Sequence, residues 1–158
     1  MCLTSVDKGI KKLRFDVIEE TISRTNIKAI KKGSVVNLER SIKASTEIGG
    51  HLMSGHLHCT GKIKKILNKN STKDIIVEFP KKFKEYIFEK GYIGLNGCSL
   101  TLGKVNKASF YLHLIPETLV VTNLDKLKVG SLVNIEIDQN TISVVETVKN
   151  TLAAQKSR

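Results

Sequence analysis

Aromatic side chains are scarce in this sequence: none of its 158 residues is tryptophan, and aromatic residues make up only 5%. Single-stranded nucleic acids are usually held by aromatic side chains that stack on the bases beside a basic groove. The formal net charge of +11 therefore does not by itself predict such a ligand. Only four of the cations are arginine, and an AT-rich genome explains the abundance of lysine, isoleucine and asparagine equally well. We expect no nucleic-acid partner.

Cysteine is also rare, and its pattern excludes two structural roles. Cys2, Cys59 and Cys98 are odd in number and far apart, and no CxxC pair is present, so neither a disulfide framework nor a zinc knuckle is predicted. No run of about 18 apolar residues exists, and the N-terminal residues lack the basic and apolar regions of a signal peptide. These absences predict a cytoplasmic protein with reduced thiols and no membrane partner.

What the sequence does contain is an internal repeat with a fixed spacing of 97 residues. A fixed spacing predicts one structural unit that is used twice. We predict a first unit at residues 1–40, a second unit at residues 41–140 and a C-terminal helix at residues 141–158. The matching pairs are Leu3-Thr4 with Leu100-Thr101, Glu20-Thr21 with Glu117-Thr118, Thr25-Asn26 with Thr122-Asn123, Gly33-Ser34 with Gly130-Ser131, Asn37 with Asn134, and Glu39 with Glu136.

The first unit is expected to be incomplete, because residues 51–97 of the second unit have no counterpart before Met1. A start assigned too late, a reading frame broken upstream, and a shortened protein in an eroding genome each explain this pattern. An incomplete unit would leave open sheet edges, which favour aggregation or swapped pairing.

Most of the chain is predicted to form short strands. Residues 13–17, 75–79 and 109–115 are rich in aromatic and β-branched residues, while residues 35–39 and 132–137 alternate apolar and polar residues after a Gly-Ser turn. Strands spaced by about ten residues indicate a small closed or Greek-key barrel. Residues 81–89 favour a short helix. The tail favours another, and Ser143-x-x-Glu146 suggests a capping box near its start.

Residues 49–58 form the most unusual segment, with three glycines and three histidines. On a strand, His51 and His56 would face opposite sides, whereas His56 and His58 could share a metal ion. No nearby Asp or Glu completes a ligand set, so we predict no metal site. The glycines favour bulges, or backbone that approaches another backbone or a ligand closely.

Residues 94–102 form a second segment that could carry chemistry. Asn96-Gly97 is a tight-turn signal, and it would place Ser99 and Thr101 on one face of the following strand. Two hydroxyls at a barrel mouth would suit the binding of a polar heterocycle. Ordinary strand residues that face solvent are the alternative.

Five motifs together resemble the riboflavin synthase family of the α-chain type. The resemblance implies an all-β protein of tandem Greek-key β-barrels, the first one incomplete here, with a C-terminal α-helix. The motifs are Asn37-Leu38-Glu39-Arg40, Gly49-Gly50-His51-x-x-Ser54-Gly55-His56, Gly97-x-Ser99-Leu100-Thr101, His113-Leu114-Ile115-Pro116-Glu117-Thr118 and Val133-Asn134-Ile135-Glu136-Ile137-Asp138.

The resemblance also implies a reaction and partners. The family transfers a four-carbon unit between two molecules of 6,7-dimethyl-8-ribityllumazine, giving riboflavin and 5-amino-6-ribitylamino-pyrimidinedione, without a cofactor or a metal. It implies a homotrimer joined through the C-terminal helices, with sites between the first barrel of one subunit and the second barrel of another, and lumazine synthase as a further partner. A non-catalytic lumazine- or flavin-binding protein and an inactive fragment are the alternatives for this chain.

The resemblance places site residues in both units. The polar candidates for proton transfer are His56, Ser99 and Asp138, and Cys2 matches a cysteine proposed to contribute to catalysis. The substrate-binding residues that it implies in the first unit are Cys2, Leu3, Thr4, Asp16, Val17, Ile18, Glu19, Glu20 and Thr21. Those in the second unit are Gly55, His56, Leu57, Lys90, Ser99, Leu100, Thr101, His113, Leu114, Ile115, Pro116, Glu117 and Thr118.

Overall fold

The fold is mostly β, with short helices between the strands and one longer helix at the C-terminus. The structure, a computed structural model, describes residues 1–9 and 11–157; Ile10 of the predicted first unit and Arg158 of the predicted tail lie outside this part. The strands are β1 (Ser5–Lys8), β2 (Leu13–Phe15), β3 (Cys59–Lys69), β4 (Thr72–Glu78), β5 (Tyr92–Leu95), β6 (Cys98–Thr101), β7 (Ser109–Leu114) and β8 (Leu132–Ile137). The α-helices are α1 (Glu19–Arg24), α2 (Pro116–Val121) and α3 (Gln139–Lys156). The 3-10 helices are Asn26–Ala29, Lys81–Tyr86 and Asn123–Lys126.

Six strands of the second unit form one antiparallel sheet in the order β6-β5-β8-β3-β4-β7. Its central strands carry β-branched and aromatic residues, which pack well on a pleated surface. The inner face of the sheet encloses the hydrophobic core of this unit. The buried members are Cys59, Ile63, Ile75, Val77, Phe79, Ile87, Ile93, Leu95, Leu102, Phe110, Leu112, Leu114, Leu124, Val133, Ile135 and Ile137.

The predicted closed barrel is confirmed only in part, since the strands form a six-stranded antiparallel sheet that has two edges. Among the described strands, β6 and β7 remain the two edges of the sheet. The β5–β6 pairing ends at Tyr92 and Thr101, and the Leu102 N–H still donates to the Gly91 carbonyl at 2.8 Å. Beyond that point the Gly103 N–H donates to the Tyr111 carbonyl at 2.8 Å, and the Tyr111 N–H donates to the Lys104 carbonyl at 2.9 Å. The two edges therefore approach each other through these bonds and one isolated bridge, Val105 to Phe110.

The first unit differs from the predicted partial barrel. Among its described residues, 1–9 and 11–40, the only regular strands are those of the hairpin β1–β2. The predicted strand at residues 35–39 is wrong, because this segment has no strand partner. In the second unit the equivalent strand β8 lies between β3 and β5. Val133 and Ile135 are fully buried there, whereas their counterparts Val36 and Leu38 are 48% and 71% exposed. An alternating pattern forms a strand only where neighbouring strands supply hydrogen bonds.

The local structure nevertheless repeats at the predicted spacing. The helices α1 and α2 both follow an isoleucine in extended conformation and both lead into a 3-10 helix. Thr25 and Thr122 cap these 3-10 helices with their hydroxyl oxygens, at 3.3 Å and 3.2 Å from the backbone nitrogens that donate to them. Gly33 and Gly130 occupy the same left-handed turn, with φ of 89° and 90°.

Four asparagines join the two units in a reciprocal arrangement, which we call the asparagine clasp (Asn26, Asn37, Asn123 and Asn134). The Asn26 N–H donates to Asn134 Oδ1 at 2.8 Å, and Asn134 Nδ2 donates to Asn26 Oδ1 at 2.9 Å. The same pattern recurs with the units exchanged: the Asn123 N–H donates to Asn37 Oδ1 at 2.7 Å, and Asn37 Nδ2 donates to Asn123 Oδ1 at 3.1 Å. Each repeat thus contributes the same two residues to the contact.

We expect Asn134→Ala to lower the free energy of unfolding by about 1–3 kcal/mol, because it leaves polar groups of Asn26 without partners at a buried site. Asn134 is only 8% exposed. Urea denaturation followed by circular dichroism would measure the change. The matched control is Asn106→Ala, whose exposed side chain donates only to Ser109 Oγ at 3.3 Å. Equal effects of the two substitutions would contradict a stabilising role for the clasp.

The C-terminal helix α3 begins earlier than the sequence predicts. Asp138 is its N-cap and accepts from the Thr141 N–H at 2.9 Å, so the predicted capping box at Ser143 is wrong: the Ser143 hydroxyl donates inside the helix to Gln139. The helix packs on the 3-10 helix Lys81–Tyr86, where the Tyr86 hydroxyl donates to Glu146. That 3-10 helix replaces the longer helix predicted at residues 81–89. No described helix is both long and apolar enough to span a membrane.

Candidate functional site

Residues 50–58, which we call the crossing segment, run across the outer face of β6, β5 and β8. This segment contains or contacts several of the predicted site residues. At one end, the Ser99 hydroxyl oxygen accepts from the His51 N–H at 3.1 Å and lies 2.6 Å from His51 Nδ1. The His51 ring stacks on Tyr92 with a centroid distance of 5.2 Å. Burial lowers the pKa of His51, and the carboxylates of Asp138 and Glu136 partly oppose that effect. The Ser99 hydroxyl is therefore engaged by His51 and does not point freely into solvent.

Two glycines permit this close crossing, as the sequence predicts. Gly50, with φ of +107°, lies so near Ser99 that a Cβ atom would sit 2.5 Å from its hydroxyl oxygen. Gly55, with φ of +78°, approaches the first unit: a Cβ atom there would sit 2.7 Å from the Cys2 nitrogen. The Cys2 N–H donates to the Gly55 carbonyl at 2.9 Å. This contact brings the predicted catalytic residue Cys2 beside the predicted binding residue Gly55.

Glu136 is a buried carboxylate that the sequence analysis did not select. It is 5% exposed, and its Oε1 accepts from the Ser54 N–H at 2.8 Å, the Gly55 N–H at 3.0 Å and the Ser54 hydroxyl at 3.2 Å. The alternation of residues 132–137 indicates that Glu136 faces away from the core, and residues 50–58 cover that outward face. The only sequence feature that could have indicated a role for Glu136 is its position in the motif at residues 133–138, which resembles the family.

The two neighbouring histidines have different partners. His56 Nδ1 lies 2.9 Å from Ser54 Oγ, and the ring is exposed. His58 Nδ1 accepts from the Ile137 N–H at 3.1 Å, and its ring packs edge-on against Phe83. Burial is the main cause that lowers the pKa of His58. No group of three or more metal-ligating side chains occurs among residues 1–9 and 11–157.

Asp138 lies at the junction between the sheet and the C-terminal helix. Its Oδ2 accepts from both the N–H and the hydroxyl of Thr141, at 2.9 Å and 2.8 Å. One carboxylate oxygen is thus occupied by the helix cap. The electrostatic influence of Asp138 on His51 indicates that it also lies near the end of the site that contains Ser99.

His113 belongs to a second polar group at the edge strand β7. Its Nδ1 lies 2.7 Å from Asp74 Oδ1, and Lys69 Nζ lies 2.5 Å from Asp74 Oδ2. These bonds, first from Lys69 and then from His113, lower the pKa of Asp74 below its ordinary value. His113 Nε2 would be 2.8 Å from a Cβ atom at Gly103, so only glycine leaves room for the ring.

We expect Asp74→Asn to lower stability at neutral pH, with an effect that disappears in acid. The pKa of Asp74 is depressed in the folded state, so its contribution is complete above the ordinary value of 3.8 and is lost as the pH falls through the folded pKa. Thermal unfolding of both proteins between pH 7 and strongly acidic pH would measure the gap. Asp7→Asn, at an exposed carboxylate, is the control. A gap that stays constant with pH would contradict the prediction.

The remaining predicted residues lie in or beside the turns and short helices of the two units. Leu3 and Thr4 precede β1, and Lys90 lies in a left-handed turn before β5 with φ of 66°. Leu57 follows His56 in the crossing segment. Asp16, Val17 and Ile18 lie between β2 and α1, with Glu19, Glu20 and Thr21 in the first turn of α1. Likewise Leu114 ends β7, Ile115 precedes α2, and Pro116, Glu117 and Thr118 form its first turn.

A cavity of about 540 Å³ between the two units brings some of these residues together. From the second unit, its lining includes the predicted binding residues Ser99, Leu100, Glu117 and Thr118. From the first unit, the lining is the unpaired segment at residues 35–39. Cys2, His56, Lys90, His113 and residues 16–21 do not line this cavity. Ser99 connects the two areas, because it lines the cavity and also binds His51 of the crossing segment.

Comparison with known proteins supports one family throughout the chain. The profile of the family described as "Lumazine binding domain" matches residues 1–41 and 54–138. Riboflavin synthase of Escherichia coli (strain K12) is 45% identical over 157 residues, which cover 99% of this chain and 74% of that protein. Riboflavin synthase of Chlamydia pneumoniae is 42% identical over 98% of this chain and 75% of that protein.

The fold also matches solved structures of one protein, LumP. Its complex with riboflavin is 25% identical, with a TM-score of 0.79, over 85% of this chain and 73% of LumP. Its complex with 6,7-dimethyl-8-(1'-D-ribityl) lumazine gives a TM-score of 0.77 at 24% identity, over 85% of this chain and 72% of LumP. Given the sequence identity to the synthases across nearly its whole length, the chain belongs to the riboflavin synthase family of lumazine-binding proteins.

Proposed function

We propose that the chain acts as a riboflavin synthase, a transferase that converts two molecules of 6,7-dimethyl-8-ribityllumazine into riboflavin and 5-amino-6-ribitylamino-pyrimidinedione. The observation that carries this proposal is the 45% identity to a riboflavin synthase over 99% of the chain. One lumazine loses a proton from its 7-methyl group and the other accepts a nucleophile, so the site must provide acid–base groups and hold two ring systems together.

The geometry supports a small-molecule site at the junction of the two units. A cavity of about 540 Å³ is within the usual range for ligand pockets. Thr118 offers a hydroxyl there, and Glu117 offers a carboxylate. These groups can pair with the amide-like edge of a pteridine and with the hydroxyls of a ribityl chain. His56, Ser99, Asp138 and Cys2 remain the proposed catalytic residues.

We propose that the six-stranded sheet acts as a Greek-key barrel whose edges meet through Gly103, Lys104 and Tyr111. The bonds across that seam and the shared fold with LumP support this interpretation. The same proposal assigns residues 1–40 and 41–140 to two lumazine-binding units and residues 141–158 to the C-terminal helix, in a cytoplasmic protein.

We propose that the helix α3 mediates assembly into a homotrimer. Val144, Val148 and Leu152 lie on one face of this helix and are more than half exposed, at 64%, 52% and 53%. An apolar stripe of this spacing is typical of helices that pack on a neighbour. Lumazine synthase, which would deliver the substrate, is proposed as a further partner.

The decisive experiment is to incubate the purified chain with 6,7-dimethyl-8-ribityllumazine and to follow riboflavin formation by absorbance and chromatography. We expect riboflavin and the pyrimidinedione in equal amounts, with unchanged rates in EDTA. Fluorescence titration would measure lumazine binding in the same preparation. Binding without any riboflavin would contradict the proposed reaction and favour a non-catalytic lumazine-binding protein. Loss of activity in EDTA with recovery on adding zinc would contradict a metal-free mechanism.

A further inference from the structure

A chain of hydrogen bonds connects a buried carboxylate to an exposed imidazole through one serine. Glu136 Oε1 accepts from the Ser54 hydroxyl at 3.2 Å, and Ser54 Oγ lies 2.9 Å from His56 Nδ1. Glu136 also accepts from the backbone N–H groups of Ser54 and Gly55. Each of these partners is a donor, so Glu136 acts only as an acceptor.

The Ser54 hydroxyl has a single proton, and the direction in which it is donated determines which nitrogen of His56 carries a hydrogen. An ionised carboxylate can only accept, so the contact with Glu136 assigns that proton to the Ser54–Glu136 bond, and Ser54 Oγ then accepts from His56. His56 Nδ1 must therefore carry a hydrogen, and in the neutral ring His56 Nε2 must then be unprotonated. His56 uses its backbone N–H and Nδ1 in bonds to Ser54, and Nε2 forms no hydrogen bond within the described residues.

We infer that Ser54 and Glu136 are positioning residues that fix His56 in the Nδ1-protonated tautomer and present Nε2 as a proton acceptor on the exposed side of residues 50–58. The tautomer is inferred from these hydrogen-bond contacts, whereas its use in catalysis rests on the proposed function. Neither residue belongs to the set that the family motifs imply for catalysis.

The proposed role in the reaction is a single proton transfer. The C–H bond of the lumazine 7-methyl group breaks, its electron pair stays on the exocyclic carbon, and the proton forms an N–H bond at His56 Nε2. The resulting imidazolium keeps its Nδ1 proton on Ser54, whose hydroxyl in turn donates to Glu136. Ser54 and Glu136 act only through His56.

The other titratable groups around His56 are few. Glu136 lies behind it on β8, His58 follows it on the same segment, and Cys2 of the first unit contacts Gly55. Arg24 of α1 is close enough to influence His58. A change in rate after substitution of Ser54 must therefore be compared with the rate of a variant in which these groups remain unchanged.

Nitrogen-15 NMR of the histidine rings in the full chain tests the tautomer directly. We expect the His56 signals of a ring protonated at Nδ1, and His58 provides an internal reference with the opposite tautomer, because its Nδ1 accepts from Ile137. His56→Gln and His58→Gln assign the signals. Ser54→Ala should abolish the fixed tautomer of His56 and leave His58 unchanged. A wild-type His56 protonated at Nε2 would overturn the inference, even if the enzyme were inactive.

Steady-state kinetics tests the role in catalysis. Ser54→Ala should lower kcat by about tenfold, part of the ~10²–10⁴ that a general base provides, with a smaller change in KM. Ser109→Ala, whose hydroxyl accepts from Asn106, is the matched control. A Ser54 variant identical to this control in kcat and KM would overturn the catalytic role, and an inactive wild type would instead refute the proposed function.

Discussion

His56→Ala is expected to lower kcat/KM for riboflavin formation by about 100- to 10,000-fold, the range that a positioned general acid–base group provides. His56 is exposed and has a free ring nitrogen, so its loss removes a proton acceptor and leaves the core unchanged. Riboflavin formation under steady-state conditions measures the rate. Thermal unfolding should give a midpoint close to that of the parent chain, which separates a catalytic loss from a loss of folding.

The matched control for this prediction is His58→Gln. A glutamine carbonyl can still accept from the Ile137 N–H, the bond that His58 makes through Nδ1. We expect its rate to stay within about threefold of the parent, since surface and structural substitutions outside a site have small effects on chemistry. Equal losses in the two variants, or an unchanged rate in His56→Ala, would remove His56 from the mechanism.

Phe110→Ala is expected to lower the free energy of unfolding by about 3–5 kcal/mol, the usual cost of truncating a buried aromatic ring. Phe110 is fully buried and stacks on Phe79 at a centroid distance of 5.6 Å. Since single domains are stable by only about 5–15 kcal/mol, this change would leave a large fraction of the molecules unfolded on mild heating. Chemical denaturation monitored by circular dichroism would measure it.

Phe88→Ala is the control for the core substitution, because the Phe88 ring is 50% exposed. We expect an effect below about 1 kcal/mol at that position. A similar loss of stability in both variants would mean that the sheet interior does not dominate the stability of this chain.

The sequence predicts part of the second unit well, whereas the strands β3 and β5 were not predicted. The strands β7 and β8 fall within one residue of the predicted ranges, since their patterns agree with strand partners that are present. The same alternation at residues 35–39 leads to a wrong prediction. A pattern reports which side chains could be buried, and it does not report whether a neighbouring strand exists to bury them.

The sequence predicts individual residues of the site, whereas it does not predict the contacts between residues that are far apart in the chain. The sequence indicates that Ser99 and Thr101 share a face, and the register of β5 with β6 places them opposite Gly94 and Tyr92. It gives no indication that His51 engages Ser99, because that contact joins positions 48 residues apart. The burial of Glu136 was missed for the same reason, since residues 50–58 cover it only after folding.

The asparagine clasp also records something about ancestry. Because Asn26 and Asn123 are equivalent, as are Asn37 and Asn134, each unit presents to the other the same surface that it receives, as in a two-fold symmetric pair of identical subunits. An ancestral single unit carrying both residues would already have held a second copy of itself, so gene duplication could fuse two such units without inventing a new contact. Afterwards the two halves could not diverge freely at these positions. A substitution at Asn26, for example, must be tolerated by Asn134, to which Asn26 is hydrogen-bonded. The equivalent pair, Asn123 and Asn37, is preserved by its own hydrogen bonds.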